Sequence, residues 1–277
     1  LASIEMQDYP DIEVIVSDDA TDGLSVAELE ECVRQQTGQN QHITYLVRQN
    51  EKNLGIVAHF NKIVALSKGE LLIPLSCQDC FYNETVVSHI VSFFNKENCL
   101  LATGKRACFD SVTGEQMEIL PTKKQIETIK EGGQKLIDLL CLGNFISGAC
   151  TCYSKRIFEA YGAFDETMFL VEDYPMYLRL LFNGDRICFM DEITIRYQMS
   201  GISSGTKKNP LFVKDMDAIY KTVICTNQDQ IGKGIMRHLR LREKLHGSRN
   251  PFRYFYLFLY LDVVWRKIVK AIENRRA

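Results

Sequence analysis

The sequence predicts an α/β fold in which a doubly wound, mixed sheet is flanked by helices and followed by a helical C-terminal extension. Short apolar or β-branched runs alternate with stretches of helical periodicity over about the first 200 residues. Several of these runs end in polar residues that are typical of loops at the edge of a sheet. After residue 200 the strand patterns stop, and the composition becomes helical. These three observations indicate the fold class.

The elements can be placed from local signals, since each apolar run is bounded by turn residues and most helical stretches end at a glycine such as Gly69, Gly162 or Gly184. We expect strands at 11–17, 43–48, 71–75 and 100–109, and a pair of strands at 186–190 and 193–199. We expect helices at 26–36, 56–66, 84–95, 123–142, 154–161 and 173–183. The helical stretch 123–142 contains Gly132 and Gly133 as its weak point.

Size and charge limit the kinds of function. The chain has 277 residues, of which 46% are hydrophobic and 25% charged, so it can bury a full core. A formal net charge of −2 supplies no positive field for nucleic acid, which we exclude as a partner. A Gly-, Ser- and Lys-rich loop at 201–210 separates a larger domain at 1–205 from an extension at 206–277.

The ten cysteines are scattered, and we interpret them as reduced thiols of a cytosolic protein. Two local pairs, Cys77 with Cys80 and Cys150 with Cys152, would supply four thiolates to zinc if the fold brought them together. The second pair is too closely spaced for a usual zinc knuckle. We therefore favour the interpretation that these cysteines are small buried apolar side chains.

Acidic and amide side chains follow successive predicted strands. Asp18 and Asp19 end the first strand, the segment Asn53-Leu54-Gly55 follows the second, and Asp79 follows the third. In an open α/β sheet, ligands bind beyond the carboxyl ends of the strands, so these groups should converge on one crevice. Taken alone, an acidic pair after a strand is more often a turn or a helix cap.

The order and spacing of these segments resemble those of family 2 glycosyltransferases over about residues 1–200. The resemblance implies a GT-A fold with a Rossmann-like sheet, whose first strand would precede Leu1. It also implies a nucleotide-sugar donor, a glycan or lipid-linked acceptor, and a role in the assembly of cell-surface polysaccharide. The implied donor-binding residues are Asp18, Asp19, Asn53, Gly55, Asn61, Gln78 and Asp79.

Within this resemblance, Asp18 or Asp19 hydrogen-bonds the uracil or thymine base, and Asn53 and Gly55 line the base and the ribose. The family's acidic Asp-x-Asp motif, which holds a divalent cation, falls on Cys77-Gln78-Asp79-Cys80. Asp79 matches the carboxylate that binds the metal, but cysteines stand where aspartates are usual. Sulfur is a poor ligand for Mg²⁺, so we expect Mg²⁺ or Mn²⁺ to bind weakly or not at all.

The pair Glu172-Asp173 resembles the family's Glu-Asp motif, in which the aspartate is the general base. An inverting transfer needs a carboxylate that takes the acceptor proton on the face opposite the leaving diphosphate. We assign that role to Asp173. Acids also favour the start of a helix, and the two interpretations are compatible.

After the last strand, the segment beginning Tyr197-Gln198-Met199-Ser200 resembles the family's Tyr-Arg-x-His pattern, with Gln198 and Ser200 in place of the arginine and the histidine. Lys207 and Lys208 on the following loop could replace the missing positive charge when the loop closes. A solvated pair of lysines is the default interpretation.

The segment 251–270 contains a run of aromatic and apolar residues flanked by basic residues. This segment is too short and too charged to span a bilayer, but it suits a membrane surface, so peripheral contact with the inner face of the plasma membrane is one interpretation. Packing on the catalytic domain, or on a second copy in a homodimer, is the other. Besides an active transferase, two hypotheses stay open: a non-catalytic nucleotide or glycan binding module, and a nucleotidyltransferase.

Overall fold

The computed structural model describes residues 1–38, 40–199, 209–246 and 260. In chain order its elements are α1 (Ala2–Glu5), β1 (Ile12–Asp18), α2 (Val26–Gln36), β2 (Ile43–Gln49), α3 (Ile56–Leu66), β3 (Leu71–Leu72), β4 (Cys80–Phe81), α4 (Val86–Glu97), β5 (Leu101–Phe109), β6 (Gln116–Leu120), α5 (Lys123–Glu131), α6 (Gly133–Leu142), β7 (Thr151–Ser154), α7 (Arg156–Tyr161), α8 (Asp173–Phe182), β8 (Cys188–Gln198), α9 (Pro210–Ile219) and α10 (Lys233–His246). Short π and 3₁₀ turns connect α9 to α10.

The α/β fold with a mixed sheet is confirmed. The main sheet has six described strands. Five follow the order β3-β7-β5-β8-β4, and the sixth, β6, pairs with the carboxyl-terminal half of β5. Strands β5 and β8 run parallel, and the other pairs in this sheet are antiparallel. Strands β1 and β2 form a separate parallel sheet, in register from Ile12 opposite Ile43 to Asp18 opposite Gln49. The strand ends that carry the predicted site therefore belong to two sheets.

Two predicted strand boundaries are wrong. The predicted pair of strands at 186–190 and 193–199 is one continuous strand, β8. The chain does not turn between Phe189 and Ile193, and only the register of β8 against β5 shifts there. Asp191, at the irregularity, is exposed and pairs with Lys105 at 2.9 Å and Lys130 at 2.7 Å. The strand predicted at 71–75 is reduced to Leu71–Leu72.

The predicted weak point in the stretch 123–142 divides it into two helices. Helix α5 ends at Glu131 and α6 begins at Gly133. Gly132 and Gly133 adopt φ angles of +65° and +60°, in the left-handed region where a side chain is disfavoured. Glycine is required at this corner because the backbone reverses its handedness there.

Helix α8 lies at the centre of the main hydrophobic core, and nearly all its side chains from Tyr174 to Phe182 are buried. The described part of the C-terminal extension contributes Ile219, Ile224 and Leu239 to the same core. Burying these apolar side chains stabilises the attachment of the extension to the remainder of the chain. The domain boundary near residue 205 stays a prediction.

Within the described ranges, no helix is both long enough and apolar enough to cross a bilayer.

Candidate functional site

Asp18 closes β1 and organises the loop that follows. Its carboxylate accepts hydrogen bonds from the backbone N–H of Thr21 at 2.9 Å and from the Thr21 hydroxyl at 2.5 Å. The side chain of Gln49, at the end of β2, donates a third at 3.1 Å. These hydrogen bonds lower the pKa of Asp18 and outweigh the opposing effect of burial, so the carboxylate is ionised at neutral pH.

Asp19 joins β1 to the amino terminus of α3. Its carboxylate accepts hydrogen bonds from the side chain of Asn50 at 2.8 Å and from the backbone N–H groups of Leu54 and Gly55, each at 2.9 Å. The N–H of Leu54 is shared between the two carboxylate oxygens, because it also lies 3.1 Å from Oδ2. The side chain is 19% exposed. An imide N–H of uracil or thymine is a donor of the kind that a partly exposed carboxylate accepts.

The predicted ribose-side residues form the turn that these bonds stabilise. The side chain of Asn53 donates to the backbone carbonyl of Asp19 at 3.2 Å and accepts from the N–H of Gly55 at 3.1 Å. Gly55 adopts φ +81°, and a Cβ there would lie only 2.6 Å from the ring of Phe169. Glycine is needed both for the backbone angle and for the close approach of this ring.

Asn61, the next predicted donor-site residue, tethers α3 to the loop before α8. Its side-chain amide donates to the carbonyl of Phe164 and to the carboxylate of Glu166, both at 2.9 Å, and its carbonyl accepts from the N–H of Phe164 at 2.9 Å. These bonds use most of the capacity of the amide. The structure therefore shows that Asn61 positions the loop before α8. A direct contact between Asn61 and a donor stays a prediction.

Asp79 lies just before β4 and is 7% exposed. Its carboxylate accepts a hydrogen bond of 3.2 Å from the N–H of Gln198 on β8. Burial raises the pKa of Asp79, and the bond from Gln198 and the positive charge of Arg106 oppose that rise. The neighbouring Gln78 is exposed.

The residues around Asp79 fit a divalent cation poorly. Cys77 and Cys80 are exposed, which corrects their interpretation as buried apolar residues, whereas Cys150 and Cys152 are buried as expected. In the described ranges, no three His, Cys, Asp or Glu side chains are grouped so that they could hold an ion. Among the described residues, Asp79 is the carboxylate that the predicted cation motif places here. A bound Mg²⁺ or Mn²⁺ would neutralise charge on a diphosphate, and Asp79 is the residue that would hold it.

Glu172 and Asp173 lie at the start of α8, where Glu172 is the N-cap residue and makes no side-chain capping bond. Burial raises the pKa of both carboxyl groups, and the charge of Asp173 raises that of Glu172 further. The carboxylate of Asp173 accepts a hydrogen bond from the N–H of Tyr174 at 2.6 Å. A Cβ at Gly148 would lie 3.0 Å from Asp173 Oδ2, so glycine allows the loop before β7 to approach this carboxylate closely. A partly buried carboxyl group with a raised pKa is a candidate for acid–base chemistry.

Further polar side chains hold Asp173 in place. The side chains of Tyr177 and Asn144 hydrogen-bond to its carboxylate. The hydroxyl of Tyr177 also hydrogen-bonds to that of Thr151 at 2.7 Å, and Thr151 is fully buried on β7. The sequence-based prediction missed this support. Tyr177, one helical turn after Asp173, was detectable from its spacing, but Asn144 and Thr151 had no local signal.

Two routes of contact connect the predicted donor residues with Asp173. From Asp19, one passes through Gly55 and Phe169 to the loop that leads into α8. From Asp79, the other passes through β8 to the side chain of Arg106, which hydrogen-bonds to Ser147 beside Gly148. Asp19 and Asp79 are therefore each connected to the region of Asp173 by a series of contacts.

Several predictions concern residues outside the described ranges. These are Ser200 of the Tyr-Arg-x-His-like segment, Lys207 and Lys208 of the proposed closing loop, and nearly all of the aromatic and basic segment 251–270. Within that last segment the structure describes only Tyr260, whose ring lies 5.3 Å from the guanidinium of Arg237 on α10.

Comparison with known proteins agrees with the fold and with the family that the sequence resembles. Residues 1–162 match the model of glycosyl transferase family 2. The O-antigen chain rhamnosyltransferase WbaN of Salmonella anatum is 25% identical over 138 residues, which cover 50% of this chain and 44% of WbaN. The chain thus spans less than half the length of that relative.

Solved structures of S. aureus TarS show the same fold. TarS 1-349 in complex with UDP-GlcNAc superposes with a TM-score of 0.60 at 17% identity, over 90% of this chain and 69% of the TarS chain. The complex with UDP gives a TM-score of 0.56 at 16% identity, over 90% and 68%. At this identity the likeness establishes the fold alone. With the family match over more than half of its length, the chain belongs to glycosyl transferase family 2.

Proposed function

We propose that the chain is an inverting glycosyltransferase that moves a sugar from a UDP- or dTDP-sugar to a hydroxyl group of a glycan or lipid-linked acceptor in cell-surface polysaccharide assembly. The observation that carries the proposal is the position of Asp173: a half-buried carboxyl group with a raised pKa, oriented by Tyr177 and Asn144 and approached by Gly148.

In this reaction the carboxylate of Asp173 accepts the proton of the acceptor hydroxyl while that oxygen bonds to the anomeric carbon. The bond from that carbon to the diphosphate breaks on the opposite face, and the diphosphate leaves with the electron pair. Attack from the opposite face inverts the anomeric configuration. The raised pKa suits the task, because a base works best when its pKa approaches the working pH.

The donor class is supported by Asp19. Its carboxylate lies beside Asn53 and Gly55 and stays 19% exposed, and uracil and thymine each have one imide N–H that a carboxylate can accept. The named relatives point the same way, since TarS has been solved with UDP and with UDP-GlcNAc, and WbaN is named an O-antigen chain rhamnosyltransferase.

One observation favours a second candidate, a catalytically impaired nucleotide or glycan binding module. Cys77 and Cys80 flank Asp79 where acids would complete a cation site, and both are exposed. The positioning of Asp173 argues for the enzyme, because a binding module does not need a half-buried base beside the acceptor side of the site.

A donor panel on the full-length protein tests the proposal. UDP and dTDP should raise the melting temperature by mass action on the folded state. Nucleotide sugars with Mg²⁺ or Mn²⁺ should then be hydrolysed slowly or transferred to acceptor, with an inverted product by NMR. A retained configuration contradicts the mechanism. Binding without any turnover over the whole panel favours the binding module, and no stabilisation by any nucleoside diphosphate contradicts both.

A further inference from the structure

Arg106 is an arginine in the middle of the central strand β5, and its side chain is fixed on three sides. Its guanidinium lies 4.4 Å from the centre of the Tyr197 ring on β8. Its Nη1 donates a hydrogen bond to the hydroxyl of Ser147, and Cys108 accepts another. The stacking on the Tyr197 ring and the hydrogen bonds to Ser147 and Cys108 hold the planar guanidinium in one orientation.

Part of this cation is left without a partner. The Nε of Arg106 is buried and has no hydrogen-bond acceptor among the described residues. A buried donor that stays unpaired is costly, and more so when it carries charge. Packing alone does not favour a buried Nε without an acceptor. An anionic ligand bound to the guanidinium would explain why an arginine stands at this position.

The neighbours of Arg106 belong to the two halves of the candidate site. On one side, Tyr197 precedes Gln198, whose N–H donates to Asp79 at 3.2 Å, and the positive charge of Arg106 acts against the rise in the pKa of Asp79. On the other side, Ser147 precedes Gly148, which lies against the carboxylate of Asp173. Arg106 is thus placed between the predicted donor-phosphate carboxylate and the predicted base.

We propose that Arg106 binds the diphosphate of the nucleotide-sugar donor and supplies positive charge that the incomplete cation site around Asp79 lacks. The proposal rests on the proposed function. Negative charge develops on the diphosphate as its bond to the sugar breaks, and a fixed cation nearby stabilises that charge. A guanidinium suits the role because it stays charged and its planar edge matches two phosphate oxygens.

Binding of UDP and of uridine to the full-length protein tests this assignment, because the two ligands differ only in the diphosphate. Both should be titrated by calorimetry with EDTA and again with Mn²⁺. The variants are Arg106→Gln, which removes the positive charge, and Arg106→Lys, which keeps the charge but lacks the paired N–H groups of the guanidinium. Arg196→Gln is the matched control, since Arg196 is an exposed arginine of the same sheet that stacks on Phe109 at 4.3 Å.

In EDTA, Arg106→Gln should weaken UDP binding about tenfold or more and leave uridine binding unchanged, because a lost charge-assisted hydrogen bond acts only on the diphosphate. Mn²⁺ should reduce the difference. Arg106→Lys should bind UDP with intermediate affinity, and Arg196→Gln should match the wild type.

Equal UDP affinity of wild type and Arg106→Gln would overturn the proposal, as would a parallel loss of uridine binding, which indicates a structural role. If Arg106→Gln does not fold, Arg106→Lys in EDTA serves as the test, because lysine lacks the paired N–H groups of the guanidinium. A wild-type UDP affinity of Arg106→Lys would then contradict the proposal. An unchanged UDP affinity with a raised KM for a diphosphate-linked acceptor would place Arg106 on the acceptor instead. A wild type that binds neither UDP nor dTDP overturns the proposed function and this proposal together.

Discussion

The carboxylate of Asp215 on α9 accepts a hydrogen bond of 2.6 Å from the backbone N–H of Leu170, two residues before Glu172. It accepts a second, of 2.9 Å, from the N–H of Phe169, whose ring covers Gly55. Asp215 is 2% exposed, so these bonds form away from water. Asp215 thereby fixes the loop that leads into α8, and the Phe169 ring of that loop covers Gly55 of the predicted donor site.

We expect Asp215→Asn to lower the free energy of unfolding by about 1–3 kcal/mol, because both N–H groups bond to one carboxylate oxygen and an uncharged amide oxygen accepts them more weakly. Sugar transfer should fall as well, since the loop before Asp173 loses its anchor. Urea denaturation and turnover measure the two effects. Asp217→Asn is the control on the same helix, because Asp217 is exposed and pairs only with Lys221 at the surface; it should change stability by about 0.5 kcal/mol or less. Equal effects of the two variants would contradict the anchoring role.

Asp173→Asn should reduce turnover by about a hundredfold or more and leave the dissociation constant of the donor nearly unchanged, since a base acts in the transition state. Single-turnover kinetics at saturating donor and acceptor measure the first quantity, and calorimetry with UDP measures the second. Glu172→Gln is the matched comparison. Wild-type transfer by Asp173→Asn, together with a large loss in Glu172→Gln, would move the base assignment to Glu172.

The raised pKa of Glu172 predicts a pH dependence of stability. A carboxyl group whose pKa is higher in the folded state holds its proton more tightly there, so the contribution to stability is present below the ordinary carboxyl range and is lost as pH rises through the raised pKa. Asp173 is the charged neighbour that adds to the effect of burial. Glu172→Gln should therefore lose less stability than the wild type between about pH 5 and pH 8. Urea titrations at the two pH values measure the difference, and parallel profiles would contradict the prediction.

Replacing Cys77 and Cys80 by aspartate should tighten Mn²⁺ binding, because hard oxygen ligands join Asp79 in place of sulfur. Both side chains are exposed, so the substitutions should cost little stability. Calorimetry with Mn²⁺ in the presence of UDP measures the change, and Cys32→Asp, an exposed cysteine on α2, controls for added negative charge. An unchanged Mn²⁺ affinity in the double variant would mean that these positions do not face the metal.

The sequence by itself determined the features that depend on neighbouring residues. The alternation of strands and helices, the division at Gly132 and the start of α8 at Asp173 follow from periodicity, glycine and capping signals, which act over a few residues. The acids at the ends of β1 and before β4 were also predictable, because polar residues after a buried run indicate a loop.

Only the tertiary structure decided which side chains meet. The bonds from Asn61 to Phe164, from Leu170 to Asp215 and from Arg106 to Ser147 join residues 103, 45 and 41 positions apart. No periodicity encodes such partners, because each bond depends on how separate elements pack and on which polar groups packing leaves without water. The same reason explains why Arg106, one basic residue within a strand, became a candidate ligand for phosphate only once Tyr197, Ser147 and Asp79 were placed around it.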